Sequence, residues 1–455
     1  MRVVIATQAE RSHFFSLVTL AWALRTAGHE VRVASQPELV DAIAGSGLTA
    51  VPVGHDHRFR QVMKRVVDAR WPRFDMTVDA SAGVSWEYVR DGFRRLVPWW
   101  WKVVNEPLVG DLVAFCREWR PDLVVWEPTT FAAPVAARAC GAAHVRLLWS
   151  VDLFARMRGL FLQLMAGRPA GEREDVLADW LGGHLGRFGE RFAEDVVCGQ
   201  STIDYLPASL RLQPDGPGTG GPGTGAVGTG AVGTGAVGTG AVGTGAVEYV
   251  PMRYVPYNGR AVVPGWLRVP PRRPRVALTL GSSWTTRLGR YAVPVQDILD
   301  ALSGLDVEVV ATLSAKQQAE LTRVPGNARL AEYVPLLALA PTCQVVINQG
   351  GPGTVCTTAA YGVPQLVLHY DWFDEPLLAR GLVRAGAGAA VPSGEVTAAG
   401  VREQVVRLLG DPSFAEGAGR LRAEMAAMPA PNDIVPRLEK LTEEHRRAAG
   451  SGAPR

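Results

Sequence analysis

Several kinds of chemistry are missing from this sequence, and each absence narrows what it can do. Only five of its 455 residues are cysteine (Cys116, Cys140, Cys198, Cys343 and Cys356), an odd and widely spaced set without a CxxC pair. That excludes a disulfide framework or a cysteine zinc site and leaves reduced thiols as the reading. No DxD motif and no metal-ligand cluster is present, so neither metal nor cofactor is expected. Charge of one sign is also lacking: 47 basic against 44 acidic residues give a net charge of only +3, with no basic block, which provides no electrostatic footprint for nucleic acid. No apolar run approaches the roughly 18 residues of a membrane span, and Arg138 and Arg146 interrupt the longest candidate, around 121–151. The N-terminus enters an apolar run at Val3 without a charged region or a cleavage site, so a soluble, cytoplasmic protein is expected. Finally, the first such run is followed by Gln8-Ala9-Glu10-Arg11-Ser12, not by a glycine fingerprint, which excludes a nicotinamide dehydrogenase.

What is present is an α/β pattern with enough apolar residues, 47%, for two cored domains. Val3–Ala6 reads as a buried strand, Ser16–Ala27 as a helix stopped by Gly28, and Val31–Ala34 as the next strand, a βαβ unit with right-handed crossover. Leu123–Trp126 and Val145–Trp149 read as further strands around an alanine-rich helix. Between them, about 59–119 is helical in pattern and rich in aromatics, including Trp71, Trp86, Tyr88, Trp99, Trp100 and Trp101. It reads either as insertions near the open end of the sheet or as plain helix-on-sheet packing. Residues 214–247 repeat Gly-Thr-Gly-Ala-Val, which has too little to bury to offset the entropy of ordering, and are expected to be a disordered surface loop. Prolines clustered over 255–274 mark an extended linker. A second α/β unit follows, with strands at Val276–Leu280, Val307–Thr312, Val345–Ile347 and Gln365–Leu368. The expected division is therefore 1–254, the linker, 275–430, and a C-terminal helix over 431–455 that packs back on the first domain. Two doubly wound parallel sheets in tandem place a ligand cleft between the carboxyl ends of their strands.

Asn348-Gln349-Gly350-Gly351-Pro352-Gly353-Thr354 leaves the strand ending at Ile347 and opens a helix. Glycines let backbone N–H groups approach a phosphate, proline suits the first helical turn, and the helix N-terminus offers free donors and partial positive charge. A tight structural turn would use the same residues. Twenty residues on, Asp371-Trp372-Phe373-Asp374-Glu375 follows another strand and suits hydrogen bonding to sugar hydroxyls at the same edge. Tyr333, in the loop before the helix that leads to the glycine strand, is placed to stack on a base. In the first domain His13 comes just after the first strand and is a candidate general base. Glu127, which ends the strand Leu123–Trp126, could reach the same cleft and orient it, as in a catalytic triad.

With these stretches in view, the chain resembles the GT-B glycosyltransferases of family 1. It is most similar to the actinomycete enzymes that attach TDP-deoxysugars to macrolides and anthracyclines, a spinosyn-type forosaminyltransferase among the candidates. The resemblance rests on SHFFSLVTLAWALRTAGHEVRVAS, WRPDLVVWEPTTFAAPVAARACGAAHVRLLWS, YVPYNGRAVVPGWL, LTLGSS, YVPLLALAPTCQVVINQGGPGT and AAYGVPQLVL, and covers nearly all of the chain except the repeat. It implies an inverting, metal-independent transfer of a deoxysugar to a polyketide hydroxyl in antibiotic biosynthesis. It further implies a base at His13 with Glu127 behind it, and phosphate contacts at Gly350, Gly351, Gly353 and Thr354 with Ser282 and Ser283 nearby. Base contacts would lie around Tyr333 and Val334, and a cytochrome P450-like helper would serve as partner; a homodimer is a further expectation.

Two positions depart from the family pattern. Gln349 stands where the family usually has histidine before the glycines, so it brings a donor without charge. Asp374-Glu375 stands where Asp-Gln is usual, and a second carboxylate suits a cationic aminodeoxysugar. Two other readings use the same fold: a nucleotide-sugar epimerase, which would leave the aromatic 59–119 region unexplained, and a catalytically silent binding partner, which Gln349 favours and His13 with Asp374 opposes.

Overall fold

The computed structural model describes residues 1–68, 74–78, 83–212, 241–242, 245–281, 293, 295–371 and 373–450. Strands β1 (Arg2–Ala6), β2 (Glu30–Ser35), β3 (Thr49–Pro52), β4 (Leu123–Trp126), β5 (Ala143–Leu147), β6 (Ser201–Asp204) and β9 (Glu248–Pro251) form one parallel sheet in the order β3-β2-β1-β4-β5-β6-β9. Strands β10 (Arg275–Thr279), β11 (Glu308–Thr312), β12 (Ala328–Ala331), β13 (Val345–Asn348), β14 (Gln365–His369) and β15 (Gly388–Pro392) form a second, ordered β12-β11-β10-β13-β14-β15, also parallel throughout. Central strands such as Leu-Val-Val-Trp of β4 and Val-Val-Ile-Asn of β13 are buried at every residue, as parallel strands covered on both faces must be.

In both sheets the chain order reverses at one place, between β1 and β4 and between β10 and β13. There the crossovers leave in opposite directions and open a crevice at the carboxyl ends of the strands. The helix that follows β1 carries His13 in its first turn and the loop after β4 carries Glu127; the loops after β10 and β13 carry Gly281 and Gln349.

The first helix runs Arg11–Thr26, five residues longer at its start than the sequence pattern suggests. Gln8–Glu10 makes a tight turn, and the carbonyl of Glu10, still extended at φ −127°, accepts from Phe14 N–H at 3.1 Å. Nothing between Arg11 and Phe15 breaks a helix, so the propagation begins there. His13 is thereby fixed in a first helical turn and not held in a loop. Strand β5 ends at Leu147, two residues earlier than expected, which releases Trp149 from the sheet.

The aromatic 59–119 region forms helices Phe59–Asp68, Trp86–Leu96 and Lys102–Trp119, with a π-helical turn at Val97–Trp101. Trp86, Trp100 and Trp101 are buried in one cluster with Val4, Val124 and Trp126 of the sheet, so for these rings helix-on-sheet packing is what the structure shows. Most of the Gly-Thr-Gly-Ala-Val repeat lies outside the described residues. Its described end pairs Ala241–Val242 (β7) with Gly245–Ala246 (β8) as a short antiparallel ladder.

The two sheets share a core. Tyr205, Leu206, Leu210, Met252 and Tyr254 of the first unit pack in one buried cluster with Val355, Ala379 and Leu382 of the second. The last helix, Pro431–Gly450, crosses back to the first unit: Ile434, Val435 and Leu438 enter that cluster, and Arg446 pairs with Asp122.

Candidate active site

Glu127 is completely buried, and its environment explains how a charge survives there. Thr129 donates from its N–H at 3.0 Å and from its hydroxyl at 2.8–2.9 Å, the Thr130 hydroxyl donates to Oε1, and the Trp149 indole N–H donates to Oε2 at 3.0 Å. The same two hydroxyls accept from the loop after β1, Thr130 from Gln8 N–H and Thr129 from Gln8 Nε2, each at 2.8 Å. Burial pushes the Glu127 carboxyl up, but the neighbouring His13 imidazole and the threonine donors more than offset it, and the carboxyl is held below its ordinary value. His13 Nδ1 lies 3.2 Å from Glu127 Oε2, ion-pair distance at an angle short of a full hydrogen bond. The imidazole is buried and stacks on Trp149, centroids 4.4 Å apart and planes 18° from parallel.

The crevice of the second sheet is built differently. Gly350 sits at φ +91°, and a Cβ there would meet Val367 Cγ1 at 3.1 Å and Glu375 Cβ at 3.3 Å, so glycine is required both by conformation and by space. Its N–H donates to Asn348 Oδ1 at 2.8 Å, so Gly350 shapes the turn. Asn348 is in turn tied to Gln365, and Gln365 to Val355 O. The helix Pro352–Ala360 starts with proline in its first turn, and Thr354 N–H already closes on Gly351 O at 2.9 Å. The N–H groups of Gly351 and Gly353 have no partner among the described residues. Gln349 is buried between Gly281 and Gly351; a Cβ on either would lie 2.1 or 2.9 Å from its Nε2, and its Oε1 has no hydrogen-bond partner among the described residues. Ser282, Ser283 and Trp372 lie outside the described residues.

Asp374 is the residue before the helix Glu375–Arg384, and both carboxylates are buried. Glu375 Oε2 accepts from Tyr370 N–H at 3.1 Å, and its side chain borders Gly350, so this carboxylate and the glycine turn are neighbours. Tyr333 is half-exposed and donates from its hydroxyl to Asn258 O at 2.7 Å, fastening the linker. Val334 is buried with Leu267, Val310 and Leu339, so its side chain is core and only its backbone remains for a ligand.

The two crevices are physically joined. The Tyr205 hydroxyl donates to Trp149 O, its ring lies 5.1 Å from that of Tyr254, and the Tyr254 hydroxyl donates to Gly353 O at 3.2 Å. On the other side Phe373, with its backbone in the left-handed region at φ 57°, packs edge-on against Trp100 at 5.1 Å. Sequence reasoning missed Trp149, Thr129, Thr130, Asn348 and Phe373. The two threonines had a readable signal, a carboxylate with hydroxyls two and three residues on in Glu127-Pro128-Thr129-Thr130. Among the described residues no group of three or more His, Cys, Asp or Glu could hold a metal ion, and no helix is long and apolar enough to cross a membrane.

The models of the erythromycin biosynthesis protein CIII-like N-terminal and C-terminal domains match residues 22–221 with 241–281, and 296–441. The chain belongs to the erythromycin biosynthesis protein CIII-like family. Among its CIII-like relatives, a 10-deoxymethynolide desosaminyltransferase of Streptomyces venezuelae is 44% identical over 98% of each chain. An aklavinone 7-beta-L-rhodosaminyltransferase of Streptomyces galilaeus is also 44% identical, over 98% of this chain and 97% of the relative. The crystal structure of the glycosyltransferase VinC in complex with dTDP superposes with a TM-score of 0.82 at 36% identity, covering 98% of this chain and 100% of that one. The CIII-like chain is thus a glycosyltransferase with the two-sheet GT-B architecture.

Proposed function

We propose that this enzyme moves an aminodeoxysugar from TDP to a hydroxyl of a macrolide or other polyketide aglycone, inverting the anomeric centre, without a metal. The observation that carries this reading is His13, backed by a buried, ionised Glu127 at the crevice of one sheet and joined through Trp149, Tyr205 and Tyr254 to the glycine turn of the other. With Glu127 facing Nδ1, Nε2 takes the proton of the acceptor hydroxyl as that oxygen attacks the anomeric carbon, and the bond to the TDP oxygen breaks in the same displacement. Glu127 stabilises the resulting imidazolium. Charge growing on TDP is met by the N–H groups of Gly351 and Gly353, unpartnered among the described residues, by Thr354 Oγ1 and by the partial positive charge of the helix they open. Ser282, Ser283 and the backbone at Tyr333 and Val334 complete the nucleotide side.

The amino group is supported by the names of both relatives and by Glu375, whose carboxylate adds to that of Asp374 where the family pattern has a neutral amide. The test pairs amino and neutral TDP-deoxysugars with 10-deoxymethynolide and with aklavinone, and reads product configuration by NMR. An inverted product, formed preferentially from the amino donor, is expected; equal rates with both donors would remove the role of Glu375. We propose in addition a cytochrome P450-like helper and a homodimer, supported by the resemblance of the 59–119 region to enzymes that use such helpers. Transfer measured with and without a helper, and light scattering of the purified chain, decide these points.

A further inference from the structure

Trp149 was released from the sheet when β5 closed at Leu147, and three contacts fix where it went. Its carbonyl accepts from the Tyr205 hydroxyl, its edge N–H reaches Glu127 Oε2 at 3.0 Å, and its face lies 4.4 Å from the His13 ring at 18°. Phe154 packs edge-on against the indole at 6.3 Å. Burial pushes the Tyr205 phenol well above its ordinary value, so its hydroxyl remains a donor across any working pH. One side chain therefore touches both members of the base pair, and by different chemistry: a π-face on the imidazole and a hydrogen bond on the carboxylate. A residue that only filled space would need neither the ring alignment nor the N–H. The oxygen that receives the indole N–H is also the one that faces His13 Nδ1 at 3.2 Å. Holding that oxygen fixes the direction from which the imidazole can pair, and the indole face fixes the plane in which the ring turns.

We propose that Trp149 is a positioning residue which braces His13 against Glu127 and so selects the imidazole tautomer with the proton on Nδ1, leaving Nε2 to receive the acceptor's proton. The inference rests on the reading of His13 as the base. Its chemistry is that of an oriented imidazole, in which the partner of one ring nitrogen decides what the other can do. The wrong tautomer would present an N–H to the acceptor hydroxyl and could take no proton from it.

The experiment is nitrogen-15 NMR of the full-length chain with labelled histidine and TDP present, with His13→Ala used to assign the signal. The wild type is expected to show a single Nδ1–H tautomer for His13. Trp149→Leu, which removes both face and donor, is expected to show mixed tautomers and a kcat lower by about 10²-fold, within the range of base catalysis, with the donor KM unchanged. Trp149→Phe keeps a face and loses the donor, and should fall between. A wild-type tautomer in the leucine variant overturns the proposal whatever happens to Tm or kcat, because a packing role alone would explain those losses. If His13→Ala transfers sugar at the wild-type rate, the base assignment itself fails, and the tautomer spectra still decide what Trp149 does.

Discussion

The same topological place, the carboxyl end of the sheet where strand order reverses, is finished in opposite ways in the two halves of this molecule. At the β1–β4 crevice the donors of Thr129, Thr130 and Trp149 are all spent on Glu127, and the side chains are buried and braced. At the β10–β13 crevice the N–H groups of Gly351 and Gly353 and the side-chain carbonyl oxygen of Gln349 have no partner among the described residues. The difference fits the roles proposed for the two crevices, base and phosphate cradle. A base must stand in one orientation before the substrate arrives, since reorganisation during reaction raises the barrier. A phosphate cradle must leave its donors unspent, since any hydrogen bond made inside the protein is one the leaving group cannot receive.

The comparison breaks most visibly if its first half is disarmed. His13→Ala should lower transfer by roughly 10²–10⁴-fold while the thermal shift produced by TDP stays at its wild-type size. A loss of TDP binding in that variant would mean that the two crevices do not divide the work. Glu127→Gln is the next step down. The amide keeps the shape but supplies no charge for the imidazolium, and about 10–10²-fold in kcat is expected, since base catalysis as a whole contributes about 10²–10⁴-fold.

Glu127 also makes a prediction about stability and pH. Its folded carboxyl titrates below the ordinary value despite burial, so its contribution is fully present above the unfolded carboxyl pKa and is lost as pH falls through the lower, folded one. The wild-type Tm should therefore fall on acidification beneath the ordinary carboxylate range, and Glu127→Gln should flatten that part of the curve. An unchanged slope would mean that the threonine donors, not the charge, hold the loop.

At the second crevice the expected effects are smaller and of another kind. Gly350→Ala forces a side chain into φ +91° against Val367 and Glu375. A strained residue of this sort costs about 1–3 kcal/mol, worth roughly 2–4 °C in Tm per kcal/mol for a domain of about 150–250 residues. Because the turn aims Gly351 and Gly353, TDP affinity should drop by about tenfold, equivalent to 1.4 kcal/mol, with transfer at saturating donor much less affected. A fall in Tm without any change in TDP affinity would separate the turn from the cradle.

How much of this could be read beforehand divides along the same line. The sheets and the glycine turn were legible because they rest on local patterns: short apolar runs of the buried parallel kind, proline at a helix start, glycine where φ is positive. Gly350 was legible as a turn residue, but the acceptor of its N–H, Asn348 Oδ1, was not, because that contact depends on a side-chain rotamer and not on spacing. Trp149 was hidden inside what looked like the end of a strand. Its partners come from residues 13, 127 and 205, and no periodicity connects those. The same holds for Phe373 against Trp100, a contact between domains made possible by a backbone conformation that its sequence neighbours do not announce.

Gln349 gives the finest test of the contrast. Buried between Gly281 and Gly351, it brings a neutral amide to the point where the family pattern has histidine. A protonated imidazole there would add a charge-assisted hydrogen bond to phosphate, roughly twice as strong as a neutral one, whereas the amide can donate but carries no charge. Gln349→His should therefore tighten TDP by a few-fold, more at pH 6 than at pH 8 because the unperturbed imidazole titrates near 6.5. The first crevice should not notice the change: the pH profile set by His13 ought to keep its shape. If the histidine variant instead binds TDP more weakly at both pH values, the small space between Gly281 and Gly351 is tailored to the amide, and the cradle relies on its backbone N–H groups without help from a side-chain charge.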